Sequence, residues 1–209
     1  MTMVISEQPS RRERKKSTIR RRIISAGVEL FSKHGIAEVT VDQIADAADV
    51  GKGTIYNYFA AKEDIVVAFI VDQEAKLQKR IPQFTAAGGS LETILTDFLL
   101  FQFRLRKPYH KFIRVYLAQM FLRTDAFLPY MVEMRKSFDP PLQAFFRGLQ
   151  QRELIRADVA ISDLVLTFET VHLGLTALWA VEGPPFKGTM KILRQEMKLF
   201  AEGLERKRS

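Results

Sequence analysis

Thr54, Tyr56, Asn57 and Tyr58 place three hydroxyls and one carboxamide within five consecutive positions. These groups donate and accept hydrogen bonds, and no histidine or carboxylate stands among them as a base, so they offer recognition rather than bond-making. Ile55 and Phe59 are one helical turn apart and mark the opposite, inward face. On a short helix Thr54, Tyr56 and Asn57 then point outward. A helix fits the major groove of B-DNA, where each base pair shows its own pattern of donors and acceptors. These three residues are therefore the candidates for reading base edges.

The preceding residues position that helix. Thr40 and Gln43 have the spacing of a capping box, in which each side chain satisfies the other's free backbone N–H. Ile44, Ala45 and Ala48 form the inner face of the helix they start, and the two alanines permit close approach of its neighbour. Asp49-Val50-Gly51 breaks it, and the reading helix is expected from about Lys52 to Phe59. Lys52 and the free N–H groups beside Gly53 could hold a phosphate. Thr40, Tyr58 and Lys62 are placed for further phosphate contacts, which orient without reading sequence. Arg20 and Arg21 complete the candidate DNA-binding set.

Charge points the same way. Residues 1–22 hold eight cationic side chains against Glu7 and Glu13, a net +6 of the chain's +8. Residues 1–16 lack periodicity and are expected to form a disordered basic arm, able to follow the backbone or enter the minor groove. The alternative is an idle solvated tail. The first helix is expected from Ser17 or Thr18 and ends at Lys33, His34 and Gly35.

The rest of the chain reads as all-α. Helices are expected over 62–81, ended by Pro82, from Ser90 through Lys107, and from Pro108 to about Arg123. Another begins near Asp125 and is kinked or broken at Asp139-Pro140-Pro141, resuming to about Arg152. The last two cover 161–181 and 188–206. The expected domains are the arm (1–16), a helix-turn-helix DNA-binding domain (17–64) and a larger ligand-binding and dimerisation domain (65–209). The N-terminus lacks a secretory pattern, and no run of about 18 apolar residues is evident, so no membrane partner is expected. Without cysteine, with three scattered histidines, and without a P-loop, G-x-G-x-x-G, H-E-x-x-H or nucleophile elbow, no enzyme activity, metal or cofactor is expected. Glu169 and His172 make one E-x-x-H pair, but a di-iron bundle needs two.

The run IISAGVELFSKHGIAEVTVDQIADAADVGKGTIYNYFAAKEDI resembles the N-terminal domain of the TetR family of bacterial transcriptional regulators. The resemblance rests on the FSKHG helix end, the TVDQIADAA helix, the KGTIYNYF reading helix and the following KED. It departs from the family at Asp49, where Gly is usual, at Gly51, where Ser is common, and at Ala60-Ala61. It implies a cytoplasmic homodimer that binds a pseudo-palindromic operator, represses transcription and is released by a small effector. Two reading helices would then sit roughly 34 Å apart, or a multiple of that. A regulator answering to a protein partner instead is the alternative.

The resemblance also implies an effector site among the central helices of the second domain. Polar atoms on apolar faces, Gln102, Tyr116 and His172, are the best markers, with Phe98, Phe112, Met120, Met134, Phe138, Phe168 and Trp179 as apolar lining. The same rings could be plain core. An apolar or amphipathic effector is expected, with an aromatic one among the options. Met190, Leu193, Met197, Phe200 and Leu204 form a narrow seam on the last helix, which is expected at the dimer interface, the alternative being that it packs on its own domain.

Overall fold

The computed structural model describes residues 10–122 and 139–205. Among these, every regular element is helical: α1 (Arg11–His34), α2 (Val41–Ala47), α3 (Lys52–Tyr56), α4 (Lys62–Gln78), α5 (Ile81–Ala86), α6 (Leu91–Arg106), a 3-10 turn at Lys107–Tyr109, α7 (His110–Leu122), α9 (Ile161–Glu182) and α10 (Lys187–Leu204). Residues 139–151 are helical too and are labelled α8. The described residues form two compact units that divide between Phe69 and Ile70.

In the first unit α1 begins two turns earlier than expected. The Ser10 hydroxyl accepts the Glu13 N–H at 3.2 Å and the Glu13 carboxylate accepts the Ser10 N–H at 2.7 Å. This capping box nucleates a helix through residues expected to be unstructured. Thr18, expected as a cap, instead donates its hydroxyl to the Arg14 carbonyl inside the helix. Positions 11–18 are exposed, so the basic residues 11–16 decorate a helix rather than a loose arm. The core joins Ile23, Val28 and Phe31 of α1 to Ile44 of α2, Ile55 of α3 and Ile65 of α4, all nearly inaccessible. Gly27 makes this approach possible, since a Cβ there would lie 2.9 Å from the Ile65 Cγ2.

α4 starts in the first unit and ends in the second. It stops at Gln78, short of the expected Ile81. Pro82 does not terminate it but sits in the first turn of α5, where a missing N–H removes no helical bond. The second unit closes around aromatic rings. Phe98 stacks on Phe145 at 4.6 Å, Phe146 meets Phe168 edge-on at 5.4 Å, and Trp179 stacks on Phe186 at 4.8 Å. Such pairs add about 0.5–1.5 kcal/mol each beyond the area they bury. The helix expected from near Asp125 lies largely outside the described residues, while Pro140 and Pro141 are helical positions of α8.

Two expectations about the last helices are corrected. α10 packs on α6 and α9, and its seam turns inward: Leu193 and Met197 are 0% exposed and Leu204 is 9%. Phe200 contacts Phe146 and Phe168, and Met190 is half-buried. Spacing shows that these five residues share a face, but the apolar core of their own unit claims it. α9 is long and apolar enough to cross a membrane by length and composition, contrary to the reading that no such run exists. It packs against α7 and α10 and leaves Leu166, Leu173, Leu178 and Val181 exposed.

Candidate functional site

In the first unit α3 is a five-residue stub, shorter than expected because the chain turns after Tyr56. Ile55 and Phe59, 1% and 5% exposed, hold it down. Tyr56 is 52% exposed and Asn57 is exposed beside it, while Thr54 and Tyr58 are half-buried.

The turn before α3 has a specific support. Asp49 adopts φ +49°, a left-handed conformation that asparagine and aspartate tolerate best after glycine. The Arg22 guanidinium, from α1, donates to the Ala48 carbonyl at 2.5 Å, the Asp49 carbonyl at 2.9 Å and the Asp49 carboxylate at 2.8 Å. In the sequence Arg22 reads only as basic charge; in the fold it is a brace that fixes the angle between α2 and α3. Its position directly before Ile23, the first residue of the buried Ile23–Val28 stripe, was the available signal.

Two phosphate candidates have protein partners. The Lys52 ammonium pairs with Asp42 at 2.8 Å, which raises its pKa. The Lys62 ammonium donates to the Ala37 and Val39 carbonyls at 2.7 and 2.8 Å, tying α4 to the loop before α2. Lys62 is therefore first a structural staple, because those carbonyls lack helical partners. Thr40 accepts from the Gln43 N–H at 3.2 Å in the expected capping box. The Arg20 guanidinium lies over the Phe59 ring at 6.0 Å, and Arg21 and Gly53 are exposed.

The second unit contains a cavity of about 250 Å³ between α4, α6, α7, α8 and α9. Of the expected lining residues, Gln102, Tyr116, Met120, Phe168 and His172 reach it. Phe98, Phe112 and Trp179 do not; each is at most 1% exposed and belongs to the packed core. Met134 and Phe138 lie outside the described residues. Leu77, Ile113, Leu117, Pro141, Leu142 and Leu173 make most of the remaining wall apolar.

One end of the cavity is polar, and sequence reading missed its centre. Arg106 Nη2 donates to Glu74 Oε1 at 2.6 Å, with side-chain exposures of 13% and 7%. Arg106 Nη1 reaches Gln102 Oε1 at 3.1 Å and His172 Nε2 at 2.8 Å. Burial and the neighbouring guanidinium lower the His172 pKa to about 3, so the ring is neutral and Nε2 accepts from Arg106. Burial raises the Glu74 pKa against the pull of Arg106, and pushes the Tyr116 hydroxyl up to about 12. Arg106 stands one turn beyond Gln102 on the same face of α6, which was the legible sign.

The first unit is a helix-turn-helix domain, and the all-helical second unit carries the cavity. Residues 23–69 match the family model described as bacterial regulatory proteins, tetR family. It is 41% identical over 56 residues to the putative mycofactocin biosynthesis transcriptional regulator MftR of Mycobacterium tuberculosis, spanning 27% of this chain and 28% of that one. Across the first three curated relatives the match spans 28% to 60% of their length. The whole fold is similar to that of the fatty acid degradation regulator FadR from Bacillus halodurans, with TM-score 0.73 and 19% identity over 96% of this chain and 100% of that one. It is also similar to Thermus thermophilus FadR, a TetR-family repressor in complex with lauroyl-CoA, with TM-score 0.69 and 20% identity over 91% and 97% of the two chains.

Proposed function

We propose that the protein is a cytoplasmic, sequence-specific DNA-binding transcriptional repressor, released from its operator by a small effector with an apolar body. One observation carries the reading: within the family-matched segment, α3 is anchored by Ile55 and Phe59 and offers Tyr56 and Asn57 to solvent. Tyr56, Asn57 and Thr54 would read base edges, while Thr40, Tyr58, Arg20, Arg21 and the cationic start of α1 would meet phosphates. The 250 Å³ cavity supports a small-molecule effector over a protein partner. α4 would carry the effect, since it lines the cavity with Glu74 and Leu77 and begins in the DNA-reading unit.

The homodimer would use the exposed face of α9, from Leu166 to Val181, rather than the inward seam of α10. An uncovered apolar stripe of that length is a typical mark of association. Ligand binding can shift the DNA equilibrium only by its differential affinity for the two states. Footprinting on the DNA flanking this protein's own gene, repeated with a metabolite panel, tests the reading. Two half-sites, protected until one compound is added, are expected. Absence of any protected segment would refute DNA reading, and a single protected half-site would refute the dimer.

A further inference from the structure

The polar end of the cavity joins three helices through one cation. Arg106 of α6 holds Glu74 of α4 and His172 of α9, with Gln102 beside it. The other described residues around the cavity are chiefly apolar, and its volume of about 250 Å³ exceeds the roughly 150 Å³ that admits benzene in an apolar core. A ligand filling it must meet a guanidinium that already has a carboxylate partner.

The two partners of that pair are not equivalent. Arginine stays protonated under all ordinary conditions, so an arriving cation that took Glu74 would strand a buried positive charge. Glu74 can leave the pair by taking up a proton, and burial raises its pKa in that direction against the pull of Arg106. Among the described residues, the titratable and charged groups that share the cavity wall with Glu74 are Arg106 from α6, Tyr116 from α7, and His172 and Glu169 from α9. Tyr116 and His172 are neutral near pH 7, and Glu169 has a partner of its own. The exchange that leaves no unpaired buried charge is carboxylate for carboxylate.

We propose that the effector is a free carboxylate on a compact apolar body, which takes Arg106 from Glu74 and so uncouples α4 from α6 and α9. The proposal rests on the cavity being the effector site and names both its ligand class and its switch. Before binding, the Glu74–Arg106 pair pins α4 near its C-terminal end. Afterwards the ligand carboxylate satisfies Arg106, and α4 has lost the ion pair that tied Glu74 to α6.

Calorimetric titration of the full chain without DNA tests this with octanoate, octanol, octylammonium and octanoyl-CoA. Octanoate is expected to bind at least tenfold tighter than octanol or octylammonium. R106M should abolish that preference while octanol still binds. E74Q, which keeps the shape and a hydrogen-bond acceptor, should bind octanoate about tenfold tighter, and octanoate should raise its melting temperature more than the parent's. Octylammonium preferred would overturn the proposal in favour of a cation selected by Glu74 and Glu169. Octanoyl-CoA preferred would overturn it in favour of a thioester. Preference for octanoate surviving R106M, or binding of none of the four, would overturn it as well. No DNA enters the titration, so its failure is distinguishable from a failure to find an operator.

Discussion

The Glu74–Arg106 pair gives the sharpest energetic test of the second unit. Its N···O distance is 2.6 Å and both side chains are almost closed off from water. Charges with centres about 4 Å apart attract by about 4 kcal/mol at an effective dielectric constant near 20. Removing one partner of a buried pair costs about 3–5 kcal/mol, whereas replacing both by apolar residues of similar volume is often nearly neutral. E74L should therefore lower unfolding stability by about 3–4 kcal/mol. R106M should cost less, because the remaining Glu74 can neutralise itself and the remaining arginine in E74L cannot. The double variant E74L/R106M should fall within about 1 kcal/mol of the parent. For a chain of 209 residues, each kcal/mol corresponds to roughly 2–4 °C of melting temperature. Urea denaturation followed by circular dichroism, at one protein concentration, reads all four species of the cycle. Single losses below about 1 kcal/mol that simply add would refute the reasoning, since they would mean a pair as well solvated as a surface one.

Other outcomes follow from single features. His172 titrates near 3 in the fold against 6.5 ordinarily, so the unfolded chain binds more protons between those values. Its contribution is complete above pH 6.5 and declines as pH falls, by up to about 1.4 kcal/mol per pH unit. Glu74, whose pKa is raised, acts in the opposite sense, so the check compares H172Q with the parent: H172Q should be less acid-sensitive in melting scans, and equal sensitivity would contradict the burial of a neutral ring. R22A leaves the Ala48 carbonyl without its guanidinium partner and should cost about 1–2 kcal/mol, with D49G restoring part of it by relieving the positive φ; a D49G variant that fails to help R22A in urea unfolding would show that the turn is not strained. Alanine at Arg11, Arg12, Lys15 and Lys16 together should flatten the salt dependence of DNA binding by about 0.9 for each phosphate that these side chains neutralise in the parent. An unchanged slope would mean that this face of α1 never meets the duplex.

The reading unit is legible in the sequence because its signals are local. The Thr40–Gln43 box, the Ala45/Ala48 pair and the Ile55/Phe59 anchor act within a few residues of one another, and the structure places them as spacing predicts. The same kind of local signal, Ser10 with Glu13, is present at the start of α1 but is masked by the run of cations that follows. Pro82 misleads because a proline reads as a stop, although the first turn of a new helix accepts it. The cavity is only half legible. Periodicity shows that Phe98, Phe112 and Trp179 face inward, but not whether a neighbouring helix fills the space beside them. Glu74 and Arg106 lie 32 residues apart, and their pairing is a tertiary fact that neither helix announces alone. The inward turn of Leu193 and Met197 has the same cause: an apolar seam fixes a face, and the partner that covers it is decided by the rest of the fold.

The central claim is that α3 reads a duplex. Its most direct test is competition binding at about 150 mM salt, with labelled DNA from the protected region set against excess random duplex. The account predicts a preference of roughly a thousandfold or more for the specific DNA, largely abolished in Y56A and N57A while their binding to random duplex is little changed. No preference in the parent protein, or an equal drop on both DNAs in the two variants, would contradict it.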